Sequence, residues 1–228
     1  MKISCRVFLA VFMVLLATLP STAAESDIKL PNPVFVGKLS FEAAVVRKQS
    51  VRDLSRTPLT MAQVSQILWA ANGNLPADAI TGATTKVITS AGGLYPLEVF
   101  LACGDKTVGD LPAGVYRYDP QGNSLHPIAT GDSRNLVAHA AHRQLFLAQA
   151  PALVVIGAVF QRTTARYGNR GMQYVFMDAG AANQNVFLQA ESLGLHCATV
   201  GAFVDAQVAG ALKLPAGVTP LMILAVGK

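Results

Sequence analysis

Hydrophobic positions recur along this chain with two periods, and the change from one to the other marks out its elements. In "LTMAQVSQILWAANG", Val64, Ile67, Leu68 and Ala71 fall at helical spacing. Thr60 and Gln63 form a capping box, Leu59 and Val64 are placed as a hydrophobic staple, and Asn72-Gly73 ends the run. Before it, Ser40 to Gln49 reads as a helix with Ser40 as N-cap, after an extended, Pro-punctuated lead over 25–39. "PLEVFLACG" reads as a strand, and "GVYRYDPQGNSLHPI" as a hairpin about Asp119-Pro120-Gln121-Gly122. The pattern from Asp132 to Gln149 is helical. "APALVVIGAVF" is continuously apolar, as a central strand covered on both faces must be.

The longest helical pattern, "GMQYVFMDAGAANQNVFLQAESLG", is apolar nearly all round through Tyr174, Val175, Phe176, Met177, Ala179, Val186, Phe187 and Leu188. Such a helix is buried, and in a domain of this size a partner subunit is expected to cover one side of it. "LHCATVGAF" follows as strand and turn, a helix spans about Asp205 to Leu212, and "TPLMILAVG" closes the sheet. Strands and helices intersperse without a regular βαβ rhythm, so the expected class is α+β with a mixed or antiparallel central sheet. Residues 40–228 read as one domain with no internal repeat.

The first residues alter the count. In "MKISCRVFLAVFMVLLATLPSTAAES", Lys2 and Arg6 precede an apolar run from Val7 to Leu19 and small residues at Thr22 to Ala24. That is the pattern of a secretory signal peptide over 1–24, too short for a convincing span. An uncleaved anchor is the alternative. The expected location is therefore periplasmic or secreted, with no membrane attachment after cleavage. Removal of Lys2 and Arg6 leaves 16 Lys+Arg against 13 Asp+Glu, a net +3, which does not point to nucleic acid. Cys103 and Cys197 remain, either as a disulfide or as two buried thiols.

Common catalytic signatures are missing: no G-x-G-x-x-G after a strand, no P-loop, no H-E-x-x-H, no G-x-S-x-G. His139 and His142 stand three apart in the 132–149 helical pattern without a third ligand, so no metal site is expected. A cofactor with chemistry of its own fits better. The segments unusually rich in polar residues and glycine are "RKQSVRD", "KVITSAGGLYP", "RYGNRGMQY" and "ATVGAF". Taken singly, each has a plain reading: Arg47 and Lys48 end a helix, Gly92-Gly93 makes a turn, Gly201 relieves a strand end, and Arg170 pairs with Asp178. Together they supply cations for a phosphate, backbone that approaches a flat ring, and hydroxyl neighbours, as flavin mononucleotide (FMN) requires.

From about Arg47 to Lys228 the order of "SVRDL", "PLTMAQVSQILWAANG", "SAGGLYPLEVF", "AGVYRYDPQGNSL", "YGNRGMQYVFMDAGAANQNVFLQAESLGL", "VGAF" and "LMILAVGK" resembles the nitroreductase-like flavoproteins. Within them it resembles the SagB-type dehydrogenases related to thiazoline/oxazoline oxidases. The resemblance implies a three-layer fold, helices flanking the sheet, in an intertwined homodimer with FMN at the subunit interface. It places Lys48, Gln49, Ser50 and Arg52 at the FMN phosphate and ribityl chain, with Lys228 adding to the phosphate site. Gln49 stands where relatives more often have Arg or His. Ser90, Ala91 and Gly92 would contact the flavin ring from the partner chain, and the Gly201 N–H would lie near flavin N5.

Azoline-oxidising relatives carry a Lys-Tyr pair where this chain has Arg166-Tyr167, and Arg cannot act as a base. Tyr167 remains a candidate proton donor. Ala181 replaces a His that often follows "AG" in relatives. The implied function is an FMN-dependent oxidoreductase moving a hydride or two electrons through N5 to or from a small organic substrate. Its electron donor or acceptor is unidentified, since the exterior of the inner membrane is not expected to hold NAD(P)H. The alternative is a non-catalytic protein that keeps the fold and binds a flavin or another flat aromatic ligand.

Overall fold

The computed structural model describes residues 26–228 apart from positions 79 and 81, so the signal segment over 1–24 lies outside the described residues. In chain order the elements are β1 (Ile28–Lys29), α1 (Phe41–Arg47), α2 (Met61–Asn72), β2 (Leu97–Cys103), β3 (Gly114–Asp119), β4 (Ser124–Thr130) and α3 (Arg134–Ala140). They continue through α4 (Phe146–Gln149), β5 (Ala152–Ala158), α5 (Gln161–Tyr167), α6 (Arg170–Ser192), β6 (His196–Val200), α7 (Asp205–Ala211) and β7 (Thr219–Gly227). The strands form one sheet in the order β1-β4-β3-β2-β5-β7-β6, and every neighbouring pair is antiparallel.

Local signals hold at the helix starts. Gln63 N donates to Thr60 Oγ1 at 3.1 Å and Thr60 N to Gln63 Oε1 at 2.9 Å, completing the box at α2. Ser40 Oγ accepts from Ala43 N at the start of α1. In the β3–β4 turn the Asp119 carboxylate accepts from the N–H groups of Gln121 and Gly122.

Helices cover both faces of the sheet, which makes three layers. Leu97, Val99, Leu101, Val154 and Ile156 face α2 and α6. Phe100, Leu153, Val155, Ile223 and Ala225 face α3, α4 and α7. This double cover is why β5 carries no polar residue: all seven of its positions are buried.

One expectation is corrected by the helices. The single helix over 132–149 is two, because His142 and Arg143 adopt left-handed backbone (φ 53° and 62°) between α3 and α4. His139 and His142 therefore do not share a helix face. On α6 the chain itself buries one face and leaves the other exposed. Met172, Phe176 and Met177 are exposed, the last at 59%.

The register also settles the cysteines. Cys103 pairs with Ala152, Ala152 with Val226, and Val226 with Cys197, so the two thiols stand in one row across four strands. Three strand spacings separate them by about 14 Å, twice the Cα separation of about 7 Å at which a disulfide becomes impossible. Both are free and buried, and burial pushes the Cys103 thiol up to about 11 and the Cys197 thiol to about 12.

Candidate functional site

The segment after α1 leaves the helix at Lys48 (φ −57°, ψ 129°) and runs across the end of the sheet. Val51 N donates to Cys197 O at 3.1 Å, Ser50 bridges Cys197 in parallel, and Ser55 N donates to Lys228 O at 2.6 Å. Leu54 is buried beneath it, and a Cβ on Gly227 would lie 3.1 Å from Leu54 Cβ and 3.0 Å from Pro151 Cδ. Gly227 is thus the residue that lets the segment close onto β7. Lys48, Gln49, Ser50, Arg52 and Lys228 consequently gather at one end of β6 and β7.

None of the three cations forms an ion pair among the described residues. Their tips do not yet converge. Lys48 Nζ lies 5.9 Å from the Phe187 ring on the α6 side of the sheet, and the Arg52 guanidinium 5.8 Å from the Phe146 ring on the α4 side. A shared anion requires one side chain to leave its ring. An exposed cation–π contact holds it by about 0.5–1 kcal/mol, less than the 1.5–3 kcal/mol or so returned by a hydrogen bond to a charged group.

At the other end of β6, Gly201 is exposed and its N–H has no partner among the described residues. A Cβ there would meet nothing within 4 Å. The space above this free donor is open, as a flat ring approaching the backbone would need. Thr199 Oγ1, bonded to Asn183 Oδ1 at 2.5 Å, ties this end of the strand to α6. Four residues of strand separate Gly201 from Cys197, on the order of 13 Å.

The third group is the turn from Ser90 to Tyr95. Gly92 (φ 63°), Gly93 (φ 66°) and Tyr95 (φ 43°) all adopt left-handed backbone, and Tyr95 N donates to Ser90 Oγ at 3.0 Å. At Gly92 a Cβ would come within 2.6 Å of the Tyr167 hydroxyl and 3.0 Å of Arg166 Nη1. The chain therefore brings Arg166 and Tyr167 directly over this turn. Tyr167 reaches it because α5 and α6 cross closely at Gly171, whose Cβ would sit 2.9 Å from Thr164 Cα. No hydrogen bond joins the turn to Gly201 among the described residues.

Three further residues, Asp178, Arg170 and Lys86, have surroundings that the sequence did not give. Asp178 is 6% exposed and its Oδ2 has no partner. Burial raises its pKa, partly offset by the adjacent Ser90 hydroxyl. Arg170 does not pair with it; the guanidinium donates to Gln173 and lies over Tyr174. Lys86 bonds Asn72 Oδ1 at 3.1 Å and sits 5.6 Å from the Tyr95 ring, its pKa lowered by burial. Only Asp178 had a visible clue, its place among apolar residues on a helix.

A raised carboxyl pKa in the folded state favours the neutral acid, so this group's contribution to stability falls as pH rises from the ordinary carboxylate range through the folded value. Asp178→Asn removes that decline. The variant is expected to be more stable than wild type at pH 7 and less stable or equal at pH 3, read by urea denaturation at both. An unchanged pH dependence would contradict the buried acid.

A groove of about 800 Å³ lies elsewhere, between the N-terminal lead and α1, α2 and α6, and is lined by none of the candidate site residues. The lead is pinned along it by the Gln66 amide, which accepts from Val34 N at 2.8 Å and donates to Val34 O at 2.9 Å. Among the described residues no cluster of three or more His, Cys, Asp or Glu is placed to hold a metal, and no helix is long and apolar enough to cross a membrane.

Comparison with known proteins gives a consistent picture. MJ1384 of Methanocaldococcus jannaschii, whose name places it among the nitroreductases, is 37% identical over 202 residues, covering 89% of this chain and 96% of that protein. The microcin B17-processing protein McbC of Escherichia coli is 28% identical over 146 residues, 62% of this chain and 54% of McbC, so the match spans about half of that relative. A solved structure from Ralstonia eutropha, also named for the nitroreductases, superposes with a TM-score of 0.75 at 26% identity over 90% of each chain. The NADPH:FMN oxidoreductase of Vibrio harveyi shares the fold at TM-score 0.57 and 19% identity, over 82% of this chain and 67% of its own. Together the family and these relatives support an oxidoreductase of the flavin-dependent kind. The sequence matches the nitroreductase family over residues 45–228, and the chain belongs to that family.

Proposed function

We propose that this protein is an exported, homodimeric oxidoreductase that holds FMN and exchanges a hydride or two electrons with a small organic substrate. The observation that carries the reading is β6 itself: three cations without acidic partners at one end, and a free backbone N–H under open space at the other. These residues fit the cofactor's two unlike ends.

Lys48, Arg52 and Lys228 supply charge for the phosphate, Ser50 a hydroxyl donor, and Gln49 a neutral amide. The flavin supplies hydride and electron exchange at its N5. Gly201 would present a fixed backbone N–H donor to the ring end of the flavin, a dipole that needs no reorganisation to act. Tyr167 holds a proton at its hydroxyl over the Ser90–Gly92 turn. Arg166 stays charged throughout and positions rather than deprotonates. Exposed Met172, Phe176 and Met177 on α6 are the surface that a second subunit would cover.

The replacement of a titratable lysine by Arg166 favours a second reading, a binding protein that keeps the flavin without turning over. One experiment separates the two. Purified, signal-free protein is mixed with FMN, and its visible spectrum is followed through anaerobic dithionite titration and readmission of air. A flavin spectrum that bleaches and recovers is expected. Bound flavin that never cycles with any donor or acceptor supports the second reading, and absence of binding sinks both.

A further inference from the structure

We propose that His196, held in place by Glu191, is a further ligand for the FMN phosphate, supplying a charge that Gln49 lacks and tying retention of the cofactor to pH. The inference rests on the reading that the Lys48–Arg52 segment receives that phosphate, and it names a regulation of the same site.

His196 opens β6 in the middle of the cation group. On one side it pairs with Gly227, the residue before Lys228. On the other, Ser50 stands beside Cys197 in parallel register, which brings Gln49 beside His196. The sheet thus sets an imidazole next to the neutral amide of the segment. Charge converges at the same place. Burial is the main cause that raises the Cys197 pKa, but Glu191 pushes it further up and Lys48 draws it down, so both charges act on the start of β6.

The second observation is how the ring is held. The Glu191 side chain is only 7% exposed and its Oε1 lies 3.1 Å from His196 Nδ1, whereas the imidazole itself is 43% exposed. A carboxylate only accepts, so Nδ1 carries a hydrogen, and Nε2 is left without a partner among the described residues. In the neutral ring Nε2 is an acceptor and repels an anion; in the imidazolium it is a donor. A phosphate beside Nε2 therefore favours the charged ring, as Glu191 does from its own side. The other charges gathered here are Lys48, Arg52, Asp53 and Lys228. The three cations among them oppose protonation of the ring while the site is empty, and a phosphate dianion offsets them. Binding of FMN thus takes up a proton, and retention weakens as pH rises.

The test compares FMN with riboflavin, which has the same ring and ribityl chain but no phosphate. Fluorescence titrations of purified, signal-free protein are run at about pH 6.5 and about pH 8, a range in which histidine changes charge while the phosphate stays mainly dianionic. Wild type is expected to bind FMN about fivefold or more tightly at the lower pH, and riboflavin equally at both. His196→Gln should abolish that difference and weaken FMN by about tenfold at pH 6.5, the range of one charge-assisted bond, with riboflavin unchanged. Glu191→Gln keeps an acceptor for Nδ1 but removes the charge, and should shrink the difference without abolishing FMN binding; it serves as the test should His196→Gln melt below wild type. Calorimetry in two buffers of unlike ionisation enthalpy should show wild type taking up more protons per FMN than His196→Gln. A pH dependence that survives His196→Gln, or a loss shared equally by riboflavin, overturns the proposal. The flavin reading fails separately: a wild type that prefers FMN to riboflavin, with His196→Gln indistinguishable from it, keeps the flavin and discards His196, whereas a wild type that takes up neither flavin discards both.

Discussion

Lys48→Ala combined with Arg52→Ala is expected to weaken FMN binding by about 100-fold or more while leaving the fold intact. Each cation lost from a phosphate costs about 1.5–3 kcal/mol, and about 1.4 kcal/mol is a factor of ten in affinity. The fold survives because both side chains sit at the surface on single aromatic rings and make no ion pair among the described residues. Fluorescence titration of free FMN measures the first quantity, and the melting temperature of flavin-free protein the second. Wild-type affinity in the double variant would move the phosphate site elsewhere. The single variants carry further information. If both tips must swing to one anion, each alone should lose a substantial part of the affinity; if only one reaches it, the other single variant will bind as wild type does.

Arg134→Ala is expected to be the more damaging change for stability. The guanidinium is almost wholly buried at the start of α3, where Nη1 donates to Ala150 O at 2.5 Å and Pro151 O at 3.3 Å. Nε and Nη2 grip Asp132 at 2.9 and 2.6 Å. Gly104 makes the room, since a Cβ there would lie 1.9 Å from Nη2. Truncation leaves two carbonyls without their side-chain donor and the carboxylate with only the Arg134 backbone N–H, a class of loss worth about 3–5 kcal/mol when buried. Asp132 is 41% exposed and recovers some hydration, so the lower end, about 3 kcal/mol, is expected. For a chain of this size that lowers the melting temperature by about 6–12 °C. Arg134 also holds the Asp132 carboxyl below its usual range. A depressed acid stabilises above its unfolded pKa and loses that contribution as pH falls through the folded value, so the variant should show a shallower acid limb. Lysine offers one point charge in place of a fork and should not rescue. A melting point within about 2 °C of wild type would show the grip to be incidental.

What the sequence made legible was what neighbours in sequence decide. The capping box at Thr60 and Gln63, the Asp119 turn and the unbroken apolar run of β5 each depend on a few adjacent residues, and each stands where expected. The split between α3 and α4 was hidden because His142 and Arg143 take left-handed backbone without any glycine to announce it. The cysteine question depended on register across four strands, which no spacing along the chain encodes. Likewise, the order of motifs placed the candidate site residues in groups. It did not reveal that Lys48 and Arg52 rest on opposite faces of the sheet, or that a buried Asp178 lies beside Ser90, because both facts arise from segments far apart in sequence.

The row that keeps Cys103 and Cys197 apart has a consequence for watching the molecule breathe. A buried thiol reacts with an alkylating agent only when its strand opens, so its labelling rate is a clock for that opening. Cys197 sits in β6, an edge strand of the sheet whose outer side carries only the short bridge at Ser50 and Val51, and Cys103 in β2 between β3 and β5. The protein thus carries two clocks of similar chemistry in one layer, one timing the margin beside Lys48 and Gly201, the other timing the centre. Mass-mapped labelling distinguishes a ligand that quiets only the margin from one that slows both, without a probe being added anywhere.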